Sequence, residues 1–186
     1  MRDTIELLED LIPLRPVSAD VAAVNAVTER LAAYLAGEGL HVTLETVDDR
    51  RVLYAATVAE RQPDLLLNTH VDVVPADDDQ FTPRRVDGWL HGRGANDCLG
   101  NAVVCAQVLC RCRGRAAVGA IFSADEEIGG RTTAAMVERG YGARRLIVVI
   151  DGAAYAVAIA QKGILTCTLR AQGVAAHSSA PWRGSS

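Results

Sequence analysis

The sequence predicts an α/β fold, a mostly parallel mixed sheet flanked by helices, on three observations. Apolar runs of strand length recur at Leu65-Leu66-Leu67-Asn68-Thr69, Ala117-Val118-Gly119-Ala120-Ile121-Phe122 and Leu146-Ile147-Val148-Val149-Ile150. Segments of helical periodicity separate them, which implies crossovers between parallel strands. Each run ends on residues that carry chemistry: His70-Val71-Asp72, Ser123-Ala124-Asp125-Glu126-Glu127, and Asp151. Ligands bind at the carboxyl ends of strands in open α/β sheets, so a histidine and several carboxylates should share one rim.

The elements follow in order. Ile5, Leu8, Leu11 and Ile12 form a helical stripe that Pro13 stops. Ser18 or Asp20 can cap a second helix with the stripe Val21, Val24, Val27, Leu31 and Leu35, which Gly37 and Gly39 end. Residues 41–47 and 52–58 alternate and are rich in β-branched side chains, as strands are. Residues 75–97 read as a long loop of Asp, Pro and Gly, a length that is usually functional. Residues 100–111 and 131–139 read as helices, the second closed by Gly140 and Gly142. In the tail, Tyr155, Val157 and Ile159, then Leu165, Cys167 and Leu169, alternate as half-exposed strands do.

Composition narrows the class. A chain of 186 residues buries a sizeable core, and 49% hydrophobic with 23% charged residues is ordinary for a soluble globular protein. A net charge of −4 without a basic stripe excludes nucleic acid as an expected partner. Met1-Arg2-Asp3-Thr4-Ile5-Glu6 places acids where a secretory signal needs a basic and then an apolar stretch. No apolar run reaches the roughly 20 residues of a membrane span, so a cytoplasmic protein without membrane contact is expected. The 5 cysteines fit no disulfide framework; Cys105 and Cys110 read as small hydrophobes within a helix.

Each rim motif taken alone has a bland reading beside a chemical one. Asp72 shares a strand face with His70 and can fix the tautomer of a metal-binding imidazole; a surface His near an Asp is the commoner case. Asp125, Glu126 and Glu127 repel one another unless a cation or proton relieves them, and neighbouring carboxylates can divide metal binding from general-base work. The alternative is a solvated acidic turn that caps the next helix. Asp97 closes the glycine-rich His91-Gly92-Arg93-Gly94-Ala95-Asn96-Asp97, where a helix N-cap is the bland reading. The pattern is not a dinucleotide fingerprint.

Together the motifs become specific. Asn68-Thr69-His70-Val71-Asp72-Val73-Val74-Pro75, Gly92-Arg93-Gly94-Ala95-Asn96-Asp97, Asp125-Glu126-Glu127-Ile128-Gly129-Gly130, Lys162-Gly163 and His177-Ser178-Ser179 occur in order along the chain. They closely resemble the co-catalytic zinc family of acetylornithine deacetylase, succinyl-diaminopimelate desuccinylase, glutamate carboxypeptidase and aminoacylase. The resemblance implies a zinc-dependent, exopeptidase-like three-layer sandwich and two zinc ions, with cobalt as a substitute. It implies His70 and Asp151 as ligands of the first zinc and Asp97 as a carboxylate shared by both, followed by a cis peptide bond. Glu127 would ligate the second zinc and Glu126 would act as general base. His177 would reach from a lid domain and help hold the developing oxyanion. The implied reaction is hydrolysis of an amide bond in N-acyl amino acids or small peptides by metal-bound hydroxide.

The resemblance also implies departures. Gly152 stands where a proline is common, and Leu99 where a lysine is common. The family supplies a further histidine ligand after the lid, and no histidine follows His177. The sequence therefore reads as an N-terminal portion: residues 1–162 as part of the catalytic domain, and residues 163–186 as the start of a truncated lid and dimerisation domain. The expectations are one competent metal site, impaired hydrolysis, homodimerisation only with a complete lid, and association through the unpaired strand at 164–170. The alternative is a non-catalytic remnant that binds one metal or a partner chain.

Overall fold

The computed structural model describes residues 4–151, 156–160, 162–163, 165, 167–170 and 172–185. They divide into two compact units, one up to residue 154 and one from 155 onward. In the first unit, α1 (Thr4–Leu11) buries Leu7, Leu8 and Leu11 and gives way to a tight 3-10 turn at Ile12–Leu14, with Pro13 in its first positions. Helix α2 (Val21–Gly37) starts at Asp20, whose carboxylate accepts a hydrogen bond from Ala23 N at 3.0 Å. That settles the choice between the two predicted caps. Its buried stripe is Val24, Val27, Thr28, Leu31, Ala32 and Leu35.

Strands β1 (His41–Val47) and β2 (Arg50–Ala56) form an antiparallel hairpin with Val47 opposite Arg50. Its two-residue turn puts Asp48 and Asp49 at φ of 47° and 65°, which short polar side chains tolerate. The tightness of this turn starts β2 two residues before the predicted strand. Then come β3 (Leu65–His70), β4 (Arg84–Val86), β5 (Trp89–His91), α3 (Leu99–Cys112), β6 (Val118–Ser123), α4 (Arg131–Glu138) and β7 (Leu146–Val149). The reading of residues 75–97 as plain loop needs correction. β4 and β5 pair as a small hairpin around Asp87-Gly88, both at positive φ. The Asp-Gly pair is itself a strong hairpin signal.

The main sheet has the order β1-β2-β6-β3-β7. β3 pairs in parallel with β6 on one side and with β7 on the other, while β1, β2 and β6 pair antiparallel in turn. The chain leaves β3 for β6 and returns past β3 to β7, so strand order reverses at β3. Such a switch point opens a crevice beyond the strand ends. Alternation along β2 sorts the core into two layers. Leu53 and Ala55 face α1, α2 and α3 with Leu67, Ala120 and Phe122. Val52, Tyr54 and Ala56 face the other way, with Leu66, Ile121 and the α4 residues Ala135 and Met136. This is the predicted three-layer sandwich.

In the second unit, Val174 and Ser185 form an antiparallel bridge around a 3-10 turn at Pro181–Arg183. The alternating stretch predicted as strand includes 155, 161, 164 and 166, which lie outside the described residues; the described residues between 156 and 170 carry no strand ladder. No described helix is long and apolar enough to cross a membrane.

Candidate metal centre

The sheet register levels three strand ends. His70, the last residue of β3, stands opposite Ser123, the last of β6. On the other side Asn68 stands opposite Val149, and Ile150 N donates to Asn68 O at 2.7 Å, which carries Asp151 to the same rim. The glycine-rich loop closes over this edge because it is tightly packed. A Cβ on Gly94 (φ 81°) would lie 2.9 Å from Val73 Cγ1, and one on Gly100 would lie 2.1 Å from Ala95 O. The loop thereby delivers Asp97 to the rim. The bond between Asp97 and Cys98 is cis, as the family resemblance implies.

His70 is the centre of the cluster. Its Nδ1 lies 3.0 Å from Asp72 O and 3.3 Å from Asp72 Oδ1. A carbonyl oxygen only accepts, so Nδ1 carries the hydrogen and Nε2 is left to bind. Nε2 faces Asp97 Oδ1 at 3.0 Å, Asp151 Oδ1 at 3.8 Å and Glu126 Oε2 at 3.9 Å. Exposure grades outward: the side chains of His70 and Asp72 are 1% and 0% exposed, those of Asp151, Glu126 and Asp97 31%, 47% and 59%. The oriented imidazole is dry, and the carboxylates open to solvent.

Asp72 is a fully paired buried carboxylate. Its Oδ2 accepts from Ser18 Oγ at 2.7 Å and from Glu127 N at 3.3 Å, and its Oδ1 from Glu126 N at 3.0 Å. Burial pushes its pKa up, but the hydrogen bonds from His70 and Ser18 outweigh it and hold the carboxyl below its ordinary range. Burial likewise pulls the His70 imidazolium down. Asp72 and the Cys98 sulfur overcome that and lift it to about 11. Glu126 is raised by burial, then by Asp151, Asp72 and Asp97 against the pull of His70. Glu127 is raised by burial and then by Asp97.

The three acids after β6 separate. Asp125 is buried and accepts from Thr132 N with both oxygens, each at 3.1 Å, at the start of α4. It is the helix-capping acid of the bland reading, while Glu126 and Glu127 turn toward the rim. Asp97 does not cap α3, whose N-cap residue is Cys98.

Among the described residues, the ligand atoms that lie within 4.8 Å of one another belong to His70, Asp97, Cys98 and Asp151. The Glu127 carboxylate is outside that group. Cys98 is the member that the sequence reading left without a role, since a cysteine beside an acid matches no ligand spacing. His177 belongs to the second unit, where its Nδ1 accepts from Ser179 N at 3.2 Å and pairs with Ser179 Oγ at 2.8 Å. The donor set suits a divalent ion. One nitrogen with its hydrogen bond fixed on the far side faces oxygens whose mutual repulsion a cation relieves.

Comparison with known proteins places this fold. The model described as peptidase family M20/M25/M40 matches residues 66–177, and the chain belongs to that family. A probable carboxypeptidase from Emericella nidulans is 28% identical over 210 residues, covering 98% of this chain and 47% of its own length. A probable succinyl-diaminopimelate desuccinylase from Staphylococcus epidermidis is 29% identical over 195 residues, with 98% and 47% covered. The chain thus spans about half the length of these curated relatives. The crystal structure of human carnosine dipeptidase 1 superposes with a TM-score of 0.65 at 19% identity, over 80% of this chain and 38% of that one, and shares the fold.

Proposed function

We propose that this chain is the metal-binding portion of a metal-dependent hydrolase that cleaves amide bonds of N-acyl amino acids or small peptides. The observation that carries the reading is His70 Nε2 facing the oxygens of Asp97, Asp151 and Glu126. His70, Asp97 and Asp151 hold the first metal, and Asp72 fixes the imidazole that binds it. A divalent ion there supplies Lewis acidity, lowering the pKa of water from 15.7 to about 7 and polarising a carbonyl.

The remaining steps fall to side chains. Glu126 takes the proton of the attacking water and returns it to the leaving amine. Among the described residues Asp97 and Glu127 would offer two donors to a second position, and His177 would serve as oxyanion partner in the neighbouring subunit's site. Zinc is the expected ion, with cobalt as substitute; the acyl class is the one the relatives' names suggest, amino-acid and peptide amides.

Zinc titration of the purified chain with elemental analysis tests this. One tight equivalent is expected, lost in His70→Ala. Failure to retain any zinc or cobalt would overturn the reading, and two tight equivalents would overturn the expectation of one competent metal site. Glu126→Gln should keep the metal and lower whatever turnover of N-acetyl amino acids the chain supports by about 10²–10⁴-fold.

A further inference from the structure

We propose that Cys98 supplies a sulfur ligand to the metal held by His70, Asp97 and Asp151. The inference rests on the metal reading above and deepens it. Cys98 is wholly buried, and its Sγ completes the constellation whose ligand atoms all fall within 4.8 Å of one another. The sulfur lies 3.8 Å from Asp151 Oδ1, 3.2 Å from Thr69 Oγ1 and 3.5 Å from Ile150 O. Asn101 Nδ2 donates to it at 3.2 Å.

Two features separate this thiol from a packed one. A buried free cysteine ordinarily behaves as a small hydrophobe, and Cys105 in α3 fits that description. Cys98 belongs to neither hydrophobic cluster and has polar atoms on several sides. The amide nitrogen of Asn101 can only donate, so the sulfur presents its acceptor side to it, as a metal-bound thiolate does. On metal binding the thiol proton leaves to solvent and the sulfur lone pair takes its place on the ion.

The chemistry of the site changes as a result. One nitrogen, two carboxylate oxygens and one sulfur make a four-donor set suited to zinc or cobalt, whereas manganese and magnesium prefer oxygen. Cys98 lies on the buried side of the constellation, whereas the carboxylates of Asp97 and Asp151 open to solvent.

Cobalt(II) spectroscopy tests the proposal without reference to activity. Wild type and Cys167→Ser, which removes an exposed thiol of the other unit, should both show a near-ultraviolet sulfur-to-cobalt charge-transfer band. Cys98→Ser should lose the band while the His70, Asp97 and Asp151 set still takes up the ion. Zinc affinity should then fall by more than the roughly 10–100-fold cost of losing an outer partner, with manganese affinity less affected. A band that survives in Cys98→Ser overturns the proposal. So does zinc X-ray absorption on the wild type that finds only nitrogen and oxygen near 2.0–2.1 Å and no sulfur at about 2.3 Å, a measurement that needs no variant to fold. A metal bound in an all-nitrogen-and-oxygen shell sinks the sulfur ligand alone; no bound metal sinks the hydrolase reading with it.

Discussion

β6 and β7 flank the same central strand, run parallel to it and finish on the same rim. β6 is buried at every position, whereas β7 is exposed at every position, from 36% at Val148 to 65% at Val149. Intrinsic apolarity does not explain this, since Leu-Ile-Val-Val is the more apolar of the two. What differs is cover. Phe122 of β6 packs in the core with α1, α2 and α3, and Ile121 packs with Ala135 and Met136 of α4. β7 closes one edge of the sheet, and a continuous apolar run is the pattern of a strand meant for cover on both faces. The rim inherits the asymmetry. The turn after β6 is pinned by Asp72 and by the Asp125–Thr132 bonds, while the residue before Asp151 is held by the backbone bond from Ile150 to Asn68 and a long contact from Cys98 Sγ to its carbonyl.

Paired truncations give the largest expected effect. Phe122→Ala should cost about 3–5 kcal/mol in urea unfolding, the range for buried aromatics, and Ile147→Ala under about 1 kcal/mol. Equal costs would break the contrast between the strands. The rim is tested next. Asp72→Asn should keep the fold but weaken zinc by roughly 10–100-fold in titration, since the amide no longer holds the imidazole or accepts equally from both backbone donors after β6. Unchanged affinity would mean that the β6 side of the rim needs no such anchor. The smallest effect belongs to the free edge. Val149→Lys should alter stability by no more than about 0.5 kcal/mol while lowering self-association in light scattering, because a charge blunts an unpaired edge. A stability loss of core size would show that β7 is covered in solution.

Much of this was legible in the sequence because the signals are local or periodic. The apolar runs gave strand positions to within a residue or two, and their polar ends marked the rim. A cap at Ser18 or Asp20 and the stripe of α2 follow from residue type and spacing. Three things lay beyond that reach. Whether β3 lies between β6 and β7 depends on crossovers that no single segment encodes. The separation of Asp125 from Glu126 and Glu127 depends on Thr132, which lacks a motif. Cys98 faces the rim because the loop before α3 folds back over Val73 and Leu99, and a cysteine that follows an acid carries no spacing signature. The β4–β5 hairpin is a different case: Val86-Asp87-Gly88-Trp89 announces it, and the surrounding prolines and acids obscured the signal.

Asp72 joins parts of the chain that the sequence keeps far apart. Its carboxylate receives Ser18 from the segment before α2, the strand just before it ends on His70, and its oxygens hold the backbone of Glu126 and Glu127. A shortened protein made to carry the same oriented imidazole therefore has to run without a break from Ser18 to Glu127. Grafting the histidine and its acids alone onto another sheet would transplant the ligands and leave behind the hinge pin that sets their angle.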